Sequence, residues 1–190
     1  MLESLVQWDK QVFIYLNNLG TPAWDGFWLV VTNKYYAIPV YVLFLVLLFK
    51  KLGPKRTLTC LVAIALLITA TDQLANFFKY GVARLRPCHD LELEGMFRLV
   101  KASCGGKFSY FSAHAANATA LSFFVITVLI QKLSAGWRIM ILVWAMLVAY
   151  SRIYLGVHFP LDVITGICIG ALFGWLFAKL SIFAFEKIGV

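Results

Sequence analysis

Apolar residues run along this chain in blocks long enough to be helices buried in lipid. Predominantly apolar stretches over 36–49 (YAIPVYVLFLVLLF), 57–78, 111–130, 137–151 and 160–185 predict five spans. A bilayer core about 30 Å thick takes roughly 20 apolar residues per helix, so 190 residues leave little chain outside such spans. Before the first span, ESLVQWDKQVFIYLNNLG places Leu5, Trp8, Val12, Ile14, Tyr15 and Leu19 at helical spacing, and Gly20 and Pro22 end the pattern. This reads as an interfacial helix. The stretch WDGFWLVV at 24–31 is too short to span alone and either lies along the interface or extends the first span.

The fold class expected is therefore all-α: a polytopic membrane helix bundle of about five transmembrane helices with an N-terminal interfacial helix, forming a single domain over 1–190. Composition agrees, since 62% of residues are hydrophobic and 14% charged, with mean hydropathy +0.83. A cleaved signal peptide is not expected, because Glu3 and Asp9 stand where a cationic segment would be. The +8 net charge is spread over span ends with no basic stripe, which argues against nucleic-acid binding.

Alternation of the spans puts the turns 50–56 and 131–138 and the C-terminus on one side. The other side receives the loop 80–110, the start of the third span, the 151–160 turn and the N-terminal segment. Lys79, Arg86, His114, Arg152, His158 and Asp162 thus reach one membrane face. Four cations packed into the turn 50–56 (Lys50, Lys51, Lys55, Arg56) mark that side as cytoplasmic. Cys60 and Cys168 lie inside spans as packing residues, whereas Cys88 and Cys104 bracket a segment of the 80–110 loop. On an oxidising side these two read as a disulfide, and a zinc site from Cys88, His89 and Cys104 is the alternative, without a clear fourth ligand.

Ionisable groups held at a membrane face need partners or a function. Three convergent cations, Lys79, Arg86 and Arg152, point to an anion, and arginine's planar fork suits phosphate oxygens. Ser112 reads as the N-cap of the next helix, which leaves N–H groups near Ala113 and His114 to meet phosphate. His158 precedes Asp162 by four residues, with Pro160 opening the helix between them, so the carboxylate falls beside the imidazole. His114, on another helix, is free to act as an acid. Nucleophile, acid and anion cradle together describe phosphoryl transfer. An anion or lipid transporter using the same cluster is the rival reading, disfavoured by the lack of an inverted repeat and by polar groups gathered at one face. Asp72 and Asn76, below Lys79, either extend the site inward or bond to neighbouring helices.

Lys79 with Arg86-Pro87, then Ser112-Ala113-His114, then Ser151-Arg152 with His158 and Asp162, resemble the three signature motifs of the type 2 phosphatidic acid phosphatase superfamily, which includes the vanadium haloperoxidases. The first and third match at every defining position. The second has Phe111 where the family has Pro and Ala113 where it has Gly. The motif-bearing core covers 72–170.

The resemblance implies a membrane phosphatase with no cofactor and no metal. His158 would be the nucleophile that forms a phosphohistidine, Asp162 its orienting carboxylate and His114 the acid for the leaving group. Lys79, Arg86, Ser112, Arg152 and the Ala113 N–H would hold the phosphate. Arg84, inside the first motif but not one of its defining positions, reads as a headgroup contact or an interface anchor. The substrate expected is a lipid phosphate: undecaprenyl diphosphate, phosphatidylglycerol phosphate or a lipid A phosphate, taken from a bacterial inner membrane at the periplasmic or exterior face. The loop residues Arg98, Lys101, Lys107, Phe108, Tyr110 and Phe111 either favour a bulky anionic headgroup or rest on anionic lipids.

Overall fold

A computed structural model describes residues 2–188, and among them every regular element of more than three residues is an α-helix. In chain order these are α1 (Leu2–Asn18), α2 (Pro22–Thr32), α3 (Ile38–Leu52), α4 (Pro54–Val82), α5 (Ala113–Val128), α6 (Ala135–Tyr154) and α7 (Pro160–Ile188). Local chemistry sets the boundaries. Gly53, at φ +81°, ends α3 and turns the chain directly into Pro54 of α4. Ser112 caps α5, its Oγ accepting from the Ala115 N–H at 3.5 Å. Pro160 opens α7, where the N–H it lacks is not needed.

All five expected spans are helical, but they differ in kind. Helices α4, α6 and α7 are long and apolar enough to cross a membrane. Helix α5 has 16 residues, fewer than a lone span needs. It lies in the middle of the bundle with Ala115, Ala116, Thr119, Ala120, Phe124 and Val125 fully buried, so other helices rather than lipid surround most of it. The segment 24–31 is a helix of its own and does not extend the first span. It is α2, packed on α6, with Trp28 stacked on Tyr154 at 5.2 Å between ring centroids.

The tightest seam joins α5 to α7. Gly166, Gly170 and Gly174 recur every four residues along α7, and a Cβ on them would stand 2.6, 2.3 and 2.2 Å from the carbonyl oxygens of Ser112, Ala116 and Ala120. Without side chains there, the two backbones approach closely, as small residues at this spacing permit between membrane helices. This seam fixes the start of α5 against the start of α7.

Helix α1 presents an apolar outer side, as an interfacial helix does, and an inner side that carries two buried polar residues. Trp8 and Tyr15 are exposed, while Asp9, Phe13 and Asn17, at i, i+4 and i+8, are fully buried against the bundle. The aromatic face is the one for lipid. Asn17 satisfies its buried amide completely. Its Nδ2 donates to the carbonyls of Ile153 and Tyr154 at 3.1 and 2.8 Å and to that of Arg98 at 3.1 Å, and its Oδ1 accepts from the Arg98 N–H at 2.7 Å.

Candidate active site

A cavity of about 430 Å³ opens at one end of the bundle, bounded by α4, α5, α6, the α2–α3 turn and the 83–112 loop. Lys79, Arg86, Ala113, His114, Arg152 and His158 all line it. Alternation of the spans had placed these residues on one face; the folded chain brings them to one chamber. Ser112 and Asp162 do not line it. Both are fully buried behind it, and the Ser112 N–H donates to the Asp162 carbonyl at 3.0 Å, so the start of α5 is tied to the first turn of α7. The Ser112 hydroxyl oxygen accepts in the cap of α5, which leaves its own proton to donate.

Each cation arrives on a different scaffold. Lys79 projects from the last turn of α4. Arg152 lies in the last turn of α6, 3% exposed, with Nη1 donating to the Thr32 hydroxyl; its Nε is buried without an acceptor among the described residues. Arg86 is held by its loop: Nη1 donates to the Cys104 carbonyl at 2.6 Å and Nε to the Phe108 carbonyl at 3.2 Å. Burial presses the Arg86 guanidinium below its usual pKa, and Asp162 opposes that shift.

The loop is built to aim Arg86. Leu85 pairs with Phe108 as an isolated bridge, the Arg86 N–H donates to the Lys107 carbonyl at 3.1 Å, and a disulfide joins Cys88 to Cys104, their Cα atoms 6.3 Å apart. Cys88, His89 and Cys104 each bring one potential metal-ligand atom within 4.8 Å of the others, but the disulfide takes both sulfurs, so this cluster offers no thiolate to zinc.

His158 sits between α6 and α7, in the turn made by Gly156 at φ +77°. Its Nδ1 faces Asp162 Oδ2 at 3.5 Å, long for a hydrogen bond, and the same oxygen accepts from the Phe159 N–H at 2.9 Å. Burial drives the imidazole from 6.5 down to about 4; Asp162 pulls upward, and Arg152 and Arg86 push further down. His158 is therefore neutral near pH 7. With Nδ1 toward the carboxylate, Nε2 is the nitrogen left to react.

Several charged residues differ from their sequence reading. Arg84 is neither a headgroup contact nor an interface anchor: it bridges Asp162 Oδ1 at 3.0 Å and Asp9 Oδ2 at 2.6 Å. Arg98 pairs with Asp25 at 2.8 Å at the α1–α2–α6 junction. Of the loop residues considered for headgroup binding, Lys101 alone lines the cavity, and Phe111 is fully buried. Asp72 fits both of its readings, since it lines the cavity and accepts from Asn117 Nδ2 at 2.8 Å. Asp9, Thr32 and Asn117 carried no motif. The one clue to Asp9 was an acidic residue opposite an apolar face, which reads more simply as solvated.

A second, mainly apolar groove of about 340 Å³, between α3, α4, α5 and α6, meets the polar chamber at Tyr41, Asn117, Ala118 and Trp144, which line both.

Comparison with known proteins agrees in family and fold. The family model described as the PAP2 superfamily matches residues 56–185. A lipid A 4'-phosphatase of Bacteroides thetaiotaomicron is 37% identical over 180 residues, 93% of this chain and 78% of the relative. The crystal structure of Aquifex aeolicus LpxE superposes with TM-score 0.66 at 28% identity, covering 89% of this chain and 93% of that one. A transmembrane PAP2-type phosphatidylglycerolphosphate phosphatase from Bacillus subtilis gives TM-score 0.72 at 24% identity, covering 97% and 88%, a likeness of fold.

Proposed function

The chain belongs to the PAP2 superfamily, in its membrane lipid-phosphatase branch, and from that premise we propose that it removes a phosphate from a lipid A-type glycolipid at the extracytoplasmic face, through a phosphohistidine on His158. The observation that carries this reading is the single chamber in which a neutral buried histidine backed by a carboxylate meets a second histidine and three cations.

In this mechanism Lys79, Arg86 and Arg152 hold the phosphoryl oxygens, with the free N–H groups at the start of α5. They supply charge stabilisation that a metal ion provides in other phosphatases. His158 Nε2 attacks phosphorus as the bond to the sugar oxygen breaks, and His114, protonated once the bound phosphate offsets the cations around it, gives its proton to that departing oxygen. Neutral His114 then takes a proton from water, which attacks phosphorus, breaks the phosphorus–nitrogen bond and releases phosphate. Charge on five cavity cations rather than three supports a substrate with more than one anionic group, since Lys34 and Lys101 also line the chamber. The Cys88–Cys104 disulfide supports an oxidising compartment for this face.

The test is phosphate release by purified protein in detergent from bisphosphorylated lipid A, undecaprenyl diphosphate and phosphatidylglycerol phosphate, with chelator present, and mass spectrometry of the lipid A product. Loss of the 4'-phosphate in chelator, sensitive to vanadate, is expected. Faster turnover of undecaprenyl diphosphate overturns the substrate assignment, and activity lost in chelator but restored by magnesium or zinc overturns the mechanism. Inactivity on the whole panel would favour a transporter.

A further inference from the structure

Behind the chamber lies a buried charge chain, Asp9–Arg84–Asp162, in which Asp162 alone is a defining position of a signature motif. Asp9 of α1 is fully buried, with Oδ2 accepting from Arg84 Nη2 at 2.6 Å and Oδ1 from the Leu161 N–H at 2.9 Å. Arg84 turns its other terminal nitrogen, Nη1, to Asp162 Oδ1 at 3.0 Å. Its guanidinium lies over the Phe159 ring at 4.1 Å, and that ring packs edge-on against Phe13 of α1 at 5.3 Å. One planar fork thus joins two buried carboxylates while its face rests on an aromatic ring, a geometry that arginine meets and lysine does not.

The consequence falls on Asp162. Its two oxygens are divided between Arg84 on one side and the Phe159 N–H and His158 on the other, so the carboxylate has one rotation about its side-chain bonds that satisfies all of them. A buried carboxylate lacking its cation would turn toward other partners. Arg84 would in turn be free to swing without Asp9, because the Leu161 N–H holds Asp9 to the same first turn of α7 that carries Asp162.

We propose that Arg84 and Asp9 are positioning residues for phosphoryl transfer, with Asp9 of the interfacial helix fixing Arg84 and Arg84 fixing the carboxylate that orients His158. The inference rests on the functional reading above, through the roles given to His158 and Asp162. It gives α1 a part in the reaction: the helix whose Trp8 and Tyr15 face lipid reaches with its other side to within one residue of the catalytic pair.

The experiment is a double-mutant cycle on kcat and KM, read as phosphate released from p-nitrophenyl phosphate by purified full-length protein, with gel filtration as the folding check. Arg84→Gln is expected to lower kcat about 10- to 100-fold, the range typical when a partner that orients a functional side chain is lost, with KM within about twofold of wild type. In an Asp162→Asn background the same substitution should cost less than about threefold more, because the group it acts through is already altered. Arg84→Lys, which keeps charge but not the fork, should recover part of the rate. Asp9→Asn, nearly isosteric, should lower kcat alone yet add nothing in an Arg84→Gln background, and it serves where Arg84→Gln fails to fold. Additive losses in either cycle, or a raised KM with kcat intact, overturn the inference while leaving the phosphatase reading in place. Full activity of Asp162→Asn, or an inactive wild type on this probe and on the lipid panel, overturns the functional reading and the inference with it.

Discussion

At the scale of single residues, the proposed chemistry turns on keeping His158 neutral. Its folded pKa, about 4, lies below the ordinary 6.5, so between those values the unfolded chain binds a proton that the folded one refuses. Stability from this residue is complete above about pH 6.5 and is lost as pH falls toward 4. A shift of that size corresponds to roughly 3 kcal/mol. Thermal unfolding in detergent should show a Tm that falls steeply between pH 6.5 and 4.5 in wild type and less steeply in His158→Gln; parallel slopes would mean that other groups govern the acid transition. The two histidines separate by leaving group. His158→Ala should abolish turnover and covalent labelling on every substrate. His114→Ala should lose about 10²–10⁴-fold on a lipid alkyl monophosphate but less on p-nitrophenyl phosphate, whose leaving oxygen needs no proton. Equal losses of His114→Ala in the rate of covalent labelling by both substrates would remove its role as the acid, since hydrolysis of the phosphohistidine is common to the two.

At the scale of elements, the site depends on how two helix starts are held together. The α5–α7 seam has no side chain between the backbones at Gly166, Gly170 and Gly174, so a leucine at Gly170 must force them apart. Gly170→Leu should destabilise by more than about 3 kcal/mol and lower activity along with Tm. Gly26→Ala in α2, where a Cβ meets nothing within 4 Å, should be neutral or stabilising by about 0.5–1 kcal/mol. The same scale explains what could be read from sequence. Spans and the gathering of Lys79, Arg86, His114, Arg152 and His158 at one end were legible because apolar length and alternation are properties of the chain itself, and because three motifs fall at helix ends whose sidedness alternation fixes. The seam was not legible, since glycines four apart do not name their partner helix. Nor was the inward face of α1: Asp9 and Asn17 are buried only because Arg84 and the carbonyls of Ile153 and Tyr154 lie far away in sequence and meet them in the fold.

At the scale of the whole molecule, a polar chamber and an apolar groove meet at a waist formed by Asn117, Ala118, Tyr41 and Trp144. A lipid phosphate has the same two-part form: a charged head that needs cations and a tail that gains by leaving water, at about 0.8 kcal/mol for each buried methylene. Helices α3 and α4 bound the groove with Leu45 and Leu61, both of them partly exposed on the outside of the bundle, so a tail can enter sideways from the bilayer while its phosphate stays at the membrane face. Filling the groove should therefore separate lipid from soluble substrates. Leu61→Trp, placed on the rim and distant from the reacting groups, is expected to lower kcat/KM for a long-chain lipid phosphate by about tenfold, the equivalent of about two buried methylenes. Hydrolysis of p-nitrophenyl phosphate, which has no tail, should keep its wild-type rate. Initial rates on both substrates, with gel filtration of the variant in the same detergent, decide the matter: an equal loss on both would mean that the substitution disturbs the chamber, and no loss on either would mean that the tail lies elsewhere.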